Sequence, residues 1–503
     1  MELAHLARRG MILIRRVPVS AWIALLAIGV YAAALGYVMA PMMGAQFSHV
    51  DDHEIAVMIG PSQHIALADV PGKIAQFAME NDGRFRPGYY FLRVVEAAFA
   101  GTHTHIWYLD RFVLALIAGG AIVTLAYGYV TRITMVVLPL MLIAGPQSEM
   151  WTMLGPQETY AVPMVLVGLA LVRWRHQTSG LALLLAAGLV KESFVLLVPA
   201  ILVWLAWRQG RAAWRTIAIA GAIVGLEAAG VAIEVLRFGD FYGQTRSVGS
   251  AIATAWQMLG QFSTASGWYL AGLLGLCAAA YVKGGPMART AALLSGGAFA
   301  LVFLPQAYFY GGDPAAVAGR YLLPALFFAI LVAALGYWVA EGVDRSRAMI
   351  GASVVVALTS MLLMVPQLRT SKGTAAAFAA DTQSFQAGIH QVEDLVQSDP
   401  STWVVLRPSQ LLAYYEADFA VEEFLENGVE ALTRIAIEAP PLAAGATPLE
   451  VRLNATIQTL STEGGRGFQI LPDKLAADRC VEVDFGQARA DARCTRVVVI
   501  TGI

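Results

Sequence analysis

The chain alternates long apolar runs with short polar interruptions as far as residue 366 and then turns mostly polar. Roughly twenty apolar residues are needed to cross the hydrocarbon of a bilayer. On that criterion the pattern predicts spans near 18–40, 111–130, 133–146, 159–173, 178–190, 193–207, 216–236, 265–282, 290–309, 320–340 and 348–366. The stretch 178–207 reads either as one long helix or as a tight hairpin of two. Charge separates these readings. Arg173, Arg175 and His176 precede it, and Arg208, Arg211 and Arg215 follow it. Only a hairpin keeps both clusters on one side, as the positive-inside tendency prefers. Lys191 and Glu192 then occupy the tip, on the outer side. Arg132, Lys283 with Arg289, and Arg345 with Arg347 fall inside, with the basic N-terminal residues Arg8, Arg9, Arg15 and Arg16. The first run, Val19 to Ala40, is longer than a signal-peptide core and ends without a convincing small-x-small site, so it is expected to stay as an uncleaved span. The fold expected is an α-helical polytopic membrane protein of about eleven spans, with a cytoplasmic N-terminus and an extracytoplasmic C-terminus.

Two outer segments exceed the size of connectors. Pro41 to Asp110 contains amphipathic stretches, Ile74–Glu80 and Phe91–Ala100, suited to lying in the membrane interface. Tyr89, Tyr90, Trp107 and Tyr108 suit the headgroup level. The tail from Gln367 mixes β-rich runs (Trp403–Leu406, Val451–Leu460, Val481–Phe485, Val497–Ile500) with helical ones (Thr382–Val396, Val421–Leu432), which predicts a small α/β domain. The domains expected are therefore a membrane domain 1–366, whose first outer loop is 41–110, and an extracytoplasmic domain 367–503. Cys480 and Cys494 flank the turn-rich Gly486–Arg493 and could face each other across a hairpin. A disulfide there would suit an oxidising compartment, and two free thiols are the other reading.

Composition agrees with the pattern. Hydrophobic residues make up 57% of the 503 and charged residues 14%, where soluble domains carry about 25% charged residues. The formal net charge of −2 gives no footprint for nucleic acid. Three cysteines are too few for a disulfide scaffold. No glycine-rich phosphate loop, HExxH or CxxC pattern and no solenoid-period repeat appears, which removes the common soluble cofactor, zinc and repeat classes.

The densest group of ionisable side chains is Ser48-His49-Val50-Asp51-Asp52-His53-Glu54, just past the first span. Its plain reading is a solvated loop in which Asp52 caps a helix beginning at His53. Two aspartates and two histidines also leave a divalent metal site open, with Asp51, Asp52 and His53 as ligands, although the spacing matches no familiar ligand pattern. Three further stretches stand out: Gly83-Arg84-Phe85-Arg86-Pro87-Gly88-Tyr89-Tyr90, continuing to Trp107 and Asp110-Arg111; Gly188-Leu189-Val190-Lys191-Glu192-Ser193-Phe194; and Gly319-Arg320-Tyr321-Leu322-Leu323-Pro324.

An acidic pair that opens a long outer loop after the first span, with these three stretches in this order, resembles the GT-C membrane glycosyltransferases. That superfamily includes the protein O-mannosyltransferases and the lipid A aminoarabinose transferases. The likeness covers roughly residues 18–366. It implies an inverting transfer of sugar from a polyprenyl-phosphate-linked donor to a hydroxyl of a glycolipid, polysaccharide or protein acceptor, at the outer face of the plasma membrane. By motif position Asp51 or Asp52 is the general base, Asp51 fitting slightly better as the first acid after the span. The departing phosphate needs cations, here Lys191 and Arg320, with Arg84 and Arg86 behind them. His49, His53, Glu54, Glu192, Tyr321 and Arg246 are the expected donor or acceptor contacts. The resemblance requires no cofactor and leaves metal dependence open.

Other readings compete with each of these. Lys191 could simply pair with Glu192 or Glu227, and Arg320 could snorkel to the interface. Glu227 and Glu234 lie seven residues apart on one helical face, as a proton-coupled secondary transporter would place them. In a transferase they would pair with Lys191 or Arg237. The polar segment 237–267, with Asp240, Tyr242, Gln244 and Arg246, is either a loop over the donor site or a connector. Glu149 and Glu158 read as solvated acids, with acceptor contact as the other reading. A third function class is a membrane-anchored envelope assembly protein.

Overall fold

The computed structural model describes residues 18–49, 52–60, 65–80, 85–127, 131–238, 247–260, 264–283, 285–309, 347–407, 420–425, 434–439, 442, 448–464, 467–485 and 492–500. Most of them are helical. The helices are α1 (Val19–Met39), α2 (His53–Ile59), α3 (Val70–Glu80), α4 (Pro87–Ala100), α5 (Thr104–Ala126), α6 (Arg132–Leu140), α7 (Glu149–Thr152), α8 (Glu158–Arg173), α9 (Gln177–Val190), α10 (Leu197–Gln209), α11 (Trp214–Phe238), α12 (Val248–Gly260), α13 (Thr264–Lys283), α14 (Pro286–Phe309), α15 (Arg347–Ser398) and α16 (Pro448–Glu463). The strands, all in the tail, are β1 (Trp403–Arg407), β2 (Ile435–Ile437), β3 (Cys480–Phe485) and β4 (Arg496–Ile500).

Among the described residues four helical segments are long and apolar enough to cross a membrane: Val19–Gly44, Thr104–Ala126, Trp214–Ile233 and Ile350–Ser398. A fifth is reached if α6 and Gly145–Thr152, bent by 66°, form one span. This is consistent with a membrane protein. Among the described residues the expected count of about eleven is not confirmed. Helices α8, α9 and α10 have 16, 14 and 13 residues. At 1.5 Å per residue they extend about 20–24 Å, short of a hydrocarbon core of about 30 Å. The expected span 320–340 lies outside the described residues.

The chain divides into two compact units. The first comprises Met1–Ala40, Ala78–Leu92 and Asp110–Gly373; the second comprises Pro41–Phe77, Arg93–Leu109 and Thr374–Ile503. Helix α15 runs unbroken through Pro366 for 52 residues, and the two units meet along it between Gly373 and Thr374. Most of the first outer loop groups with the tail.

Close backbone approach shapes the first unit. A Cβ on Gly119 of α5 would lie 2.1 Å from the Tyr31 ring of α1, and the Tyr31 hydroxyl donates to the Ala115 carbonyl at 2.9 Å. Gly168 of α8 and Gly180 of α9 meet so closely that a Cβ on Gly180 would lie 2.6 Å from the Gly168 carbonyl. This is the small-residue packing that lets apolar helices approach without polar loss. One end of this unit gathers Ser20, whose hydroxyl is 2.9 Å from that of Tyr127, and Arg173, whose guanidinium donates to the carbonyls of Thr124, Leu125 and Tyr127 at the end of α5. A cation over terminal carbonyls complements the helix dipole. The start of α8 and the end of α9 lie at the opposite end, where Glu158 meets Lys191.

The second unit has a parallel sheet of order β2-β1-β3-β4. Alternation decides its faces. Val404, Leu406, Val481, Val483 and Phe485 join Ile435, Ile437, Val498 and Ile500 in one core, against Phe385, Ile389, Val392 and Val396 of α15. Those four α15 positions keep a helical period and so form one buried stripe. The expected strand Val451–Leu460 is instead part of α16. Its β-branched residues misled, whereas Asn454 and Ile457 are buried one helical turn apart. The expected hairpin between the two cysteines is also corrected, because β3 and β4 run parallel, Val481 opposite Arg496. Cys480 and Cys494 nonetheless form a disulfide, joining the start of β3 to the residues entering β4. Where α15 ends, Asp399 accepts from the backbone and hydroxyl of Ser401, at 3.0 and 2.6 Å, and these bonds hold its carboxyl below the usual range.

Candidate functional site

The predicted residues fall into two clusters, one in each unit. In the second unit, residues 44–49 are tied down from several sides. The Thr382 hydroxyl accepts from the Gln46 amide at 2.9 Å, Gln383 donates to the Gly44 carbonyl at 2.6 Å, and the Tyr108 hydroxyl donates to the Gln46 carbonyl at 3.2 Å. Phe47 packs edge-on to Trp107 and stacks on Phe424, and His49 lies against the Phe385 ring.

Asp52 sits at the N-cap position of α2, as its spacing suggests, yet its side chain does not cap that helix. It turns back, and its Oδ2 accepts from the Ser48 amide at 2.7 Å. Oδ1 faces Arg93 Nη2 at 4.0 Å. Both side chains are buried. The Arg93 guanidinium lies 4.9 Å from the Trp107 ring centroid and 3.9 Å from Glu96, and the Trp107 indole donates to the Gly101 carbonyl at 2.9 Å. The result is a closed carboxylate–guanidinium–indole stack in which charge meets charge and π-face. Glu54 lies half-buried in the first turn of α2. Asp51 and the His53 side chain lie outside the described residues. Among the described residues no group of three His, Cys, Asp or Glu is placed to hold a metal ion.

The first unit holds the cations. Lys191 is the extended residue that separates α9 from the 3₁₀ turn Glu192–Leu196. It is buried between two apolar helices, and its ammonium donates to Glu158, itself fully buried in the first turn of α8. Its direct ion-pair partner is Glu158, which is therefore a buried acid and not a solvated one. Glu192 instead receives a bidentate pair from Arg86, Nε to Oε2 at 2.7 Å and Nη2 to Oε1 at 2.6 Å. Fork-on-carboxylate geometry of this kind is the stronger class of charge-assisted hydrogen bond. The Glu192 side chain keeps 37% of its exposure.

A third pair lies alongside. Arg111 contacts Asp110 at 3.0 Å, donates to the Tyr160 hydroxyl at 3.0 Å and stands 4.7 Å from that ring's centroid. Tyr160 in turn meets Tyr89. Absent side chains bring the pieces together: a Cβ on Gly88 would lie 3.0 Å from the Leu189 backbone, one on Gly230 2.9 Å from the Phe85 ring, and one on Gly188 2.7 Å from Glu227 Oε2. The segment carrying Arg86, the tip carrying Lys191 and the 227–230 turn of α11 therefore converge.

Arg84, Arg246, Arg320 and Tyr321, and the side chains of Glu234 and Arg237, lie outside the described residues. The two residues that pattern reading missed are Arg93 and Glu158. Arg93 follows Arg86 by seven residues and sits in the amphipathic α4, but an arginine there also reads as solvated. Compared with protein-family models, curated proteins and solved structures, the chain matches none.

Proposed function

We propose that this protein is an inverting glycosyltransferase that uses a polyprenyl-phosphate-linked sugar at the outer face of the membrane. The observation that carries the reading is the buried Lys191, held by Glu158 at a break between apolar helices and beside the Arg86–Glu192 pair. Ionisable groups at membrane depth are costly and are kept where they serve a substrate path. A lipid phosphate supplies the anion that both cations suit, replacing carboxylates that now hold them.

In the transfer, the acceptor hydroxyl gives its proton to a carboxylate while its oxygen bonds the anomeric carbon. The bond from that carbon to the phosphate oxygen breaks, and the electron pair leaves with the lipid phosphate. Lys191 and Arg86 take up the charge that develops on that oxygen. We assign the base to Asp51 in preference to Asp52. Asp52 is buried, with one oxygen on the Ser48 amide and the other facing Arg93, so its lone pairs serve the fold.

Purified protein supplied with decaprenyl-phosphate sugars and an envelope glycolipid acceptor should transfer sugar. Asp51→Asn should lower the rate by about 10²–10⁴-fold, the usual scale for general base catalysis, with thermal stability unchanged. A wild-type rate from Asp51→Asn would end this assignment, and one from Asp52→Asn as well would remove the acidic pair from the transfer.

One observation favours a second reading. Glu227 is buried in a span without a hydrogen-bond partner among the described residues, as a proton-coupled transporter would hold its carrier. Solute accumulation in vesicles that collapses with the proton gradient would support that reading.

A further inference from the structure

Glu227 has no role in the transfer as described above. Its side chain is buried, 6% exposed as a residue, and neither carboxyl oxygen meets a hydrogen-bond partner among the described residues. An acid left this way in an apolar span is costly, and such groups in native structures call for an explanation. Its surroundings supply one. Oε2 lies 2.7 Å from where a Cβ on Gly188 would stand, one helical turn before Lys191. One turn further along α11, Gly230 lies under Phe85, the residue before Arg86. The two phosphate-directed cations and the unpartnered acid therefore sit on three pieces of chain packed onto one another through glycines.

We infer that Glu227 is a sugar-recognition residue whose two carboxyl oxygens accept hydrogen bonds from hydroxyls of the donor's sugar ring. The inference rests on the glycosyltransferase reading. A sugar joined to phosphate by one glycosidic oxygen has its ring hydroxyls within a few ångströms of that phosphate. A phosphate drawn to Lys191 and Arg86 thus brings hydroxyl donors to the neighbouring acid. A carboxylate has about four lone-pair sites on two oxygens and suits a vicinal pair of hydroxyls, which no apolar lining residue can satisfy. Gly188 is part of the same design, since a methyl group there would press on the carboxylate at 2.7 Å.

The test uses the full chain, purified, and two probes: decaprenyl phosphate, and decaprenyl-phosphate-linked mannose, glucose or arabinose. Binding is read by titration with each variant referred to its own unliganded state. The wild type should bind at least one sugar-bearing probe more tightly than the bare lipid phosphate. Glu227→Ala should weaken that probe by about 10–100-fold, the scale of hydrogen bonds to a charged group, and leave the bare lipid phosphate within about 2-fold. Glu227→Gln, of the same shape, keeps one acceptor and should lose less; it replaces the alanine variant if that one does not fold. Equal weakening of both probes, or of neither, overturns the inference, the first pointing to a structural or proton-binding role. The two readings fail separately. If Lys191→Met leaves decaprenyl phosphate binding unchanged, or no sugar improves on bare phosphate for the wild type, the transferase reading falls and takes this one with it. If Lys191→Met weakens phosphate while Glu227→Ala leaves sugar binding intact, only the role of Glu227 falls.

Discussion

Two sets of buried charges in this molecule are built in opposite ways. Around Asp52 the described neighbours close the site: a backbone amide on one oxygen, Arg93 facing the other, and the Trp107 ring over the guanidinium. Around Lys191 and Arg86 the pairs are direct, carboxylate to cation, and one partner, Glu192, reaches the open at 37% exposure. A closed pair is repaid only by the fold it fixes, because removing either member strands the other. A pair with one open partner can exchange that partner for a ligand anion. The Arg86–Glu192 pair is of this second kind, whereas Lys191 and Glu158, like Asp52 and Arg93, are both buried.

The largest expected effect breaks the closed pair. Arg93→Met leaves Asp52 buried without its counter-charge and should lower unfolding free energy by about 3–5 kcal/mol. Adding Asp52→Asn, which keeps an acceptor for the Ser48 amide but cancels the charge, should recover part of that loss. Thermal unfolding of the single and double variants decides the matter, and additive losses would mean that the two side chains do not act as a pair.

Lys191→Met probes the other set. It removes a cation from the departing phosphate and should cost about 10²–10³-fold in transfer rate, the scale of one preorganised donor. Glu158→Gln should lower stability and leave the rate higher than Lys191→Met does, because Lys191 keeps its charge. Rates for the two variants that fall together would erase the distinction between holding structure and holding ligand.

Reduction of Cys480–Cys494, which spans 14 residues, should destabilise the sheet by about 3 kcal/mol. Circular dichroism melting with and without reductant reads this, and sugar transfer at a temperature where both forms are folded should not change. The smallest effect is expected from Arg86→Lys. It keeps the charge but loses the fork, about 1 kcal/mol, and should show as weaker phosphate binding in the same titration.

Much of the candidate site was legible by type and little by partnership. Lys191 announced itself as a lysine between two apolar runs, and the acidic pair by its place after the first span. That Lys191 holds Glu158 and that Arg86 holds Glu192 depends on contacts across 33 and 106 residues, and no local pattern encodes these. Arg93 escaped notice for the same reason, since a guanidinium on an amphipathic helix looks solvated until Trp107 covers it.

The sequence by itself determined most helices of the first unit and three of the four strands, because hydrophobic periodicity and apolar length act over neighbouring residues; α12 was missed inside the segment read as a polar loop. The Cys480–Cys494 disulfide was one of two readings left open by the sequence, and the hairpin expected to bring the pair together is absent. Only the tertiary structure decided that β3 and β4 run parallel, that 448–463 is helix despite its β-branched residues, and that α15 continues unbroken past Pro366. It alone decided which acids neutralise which bases. Pairing of charges and of strands is a matter of long-range packing, where burial raises the cost of a wrong partner, and that cost is set by the whole fold.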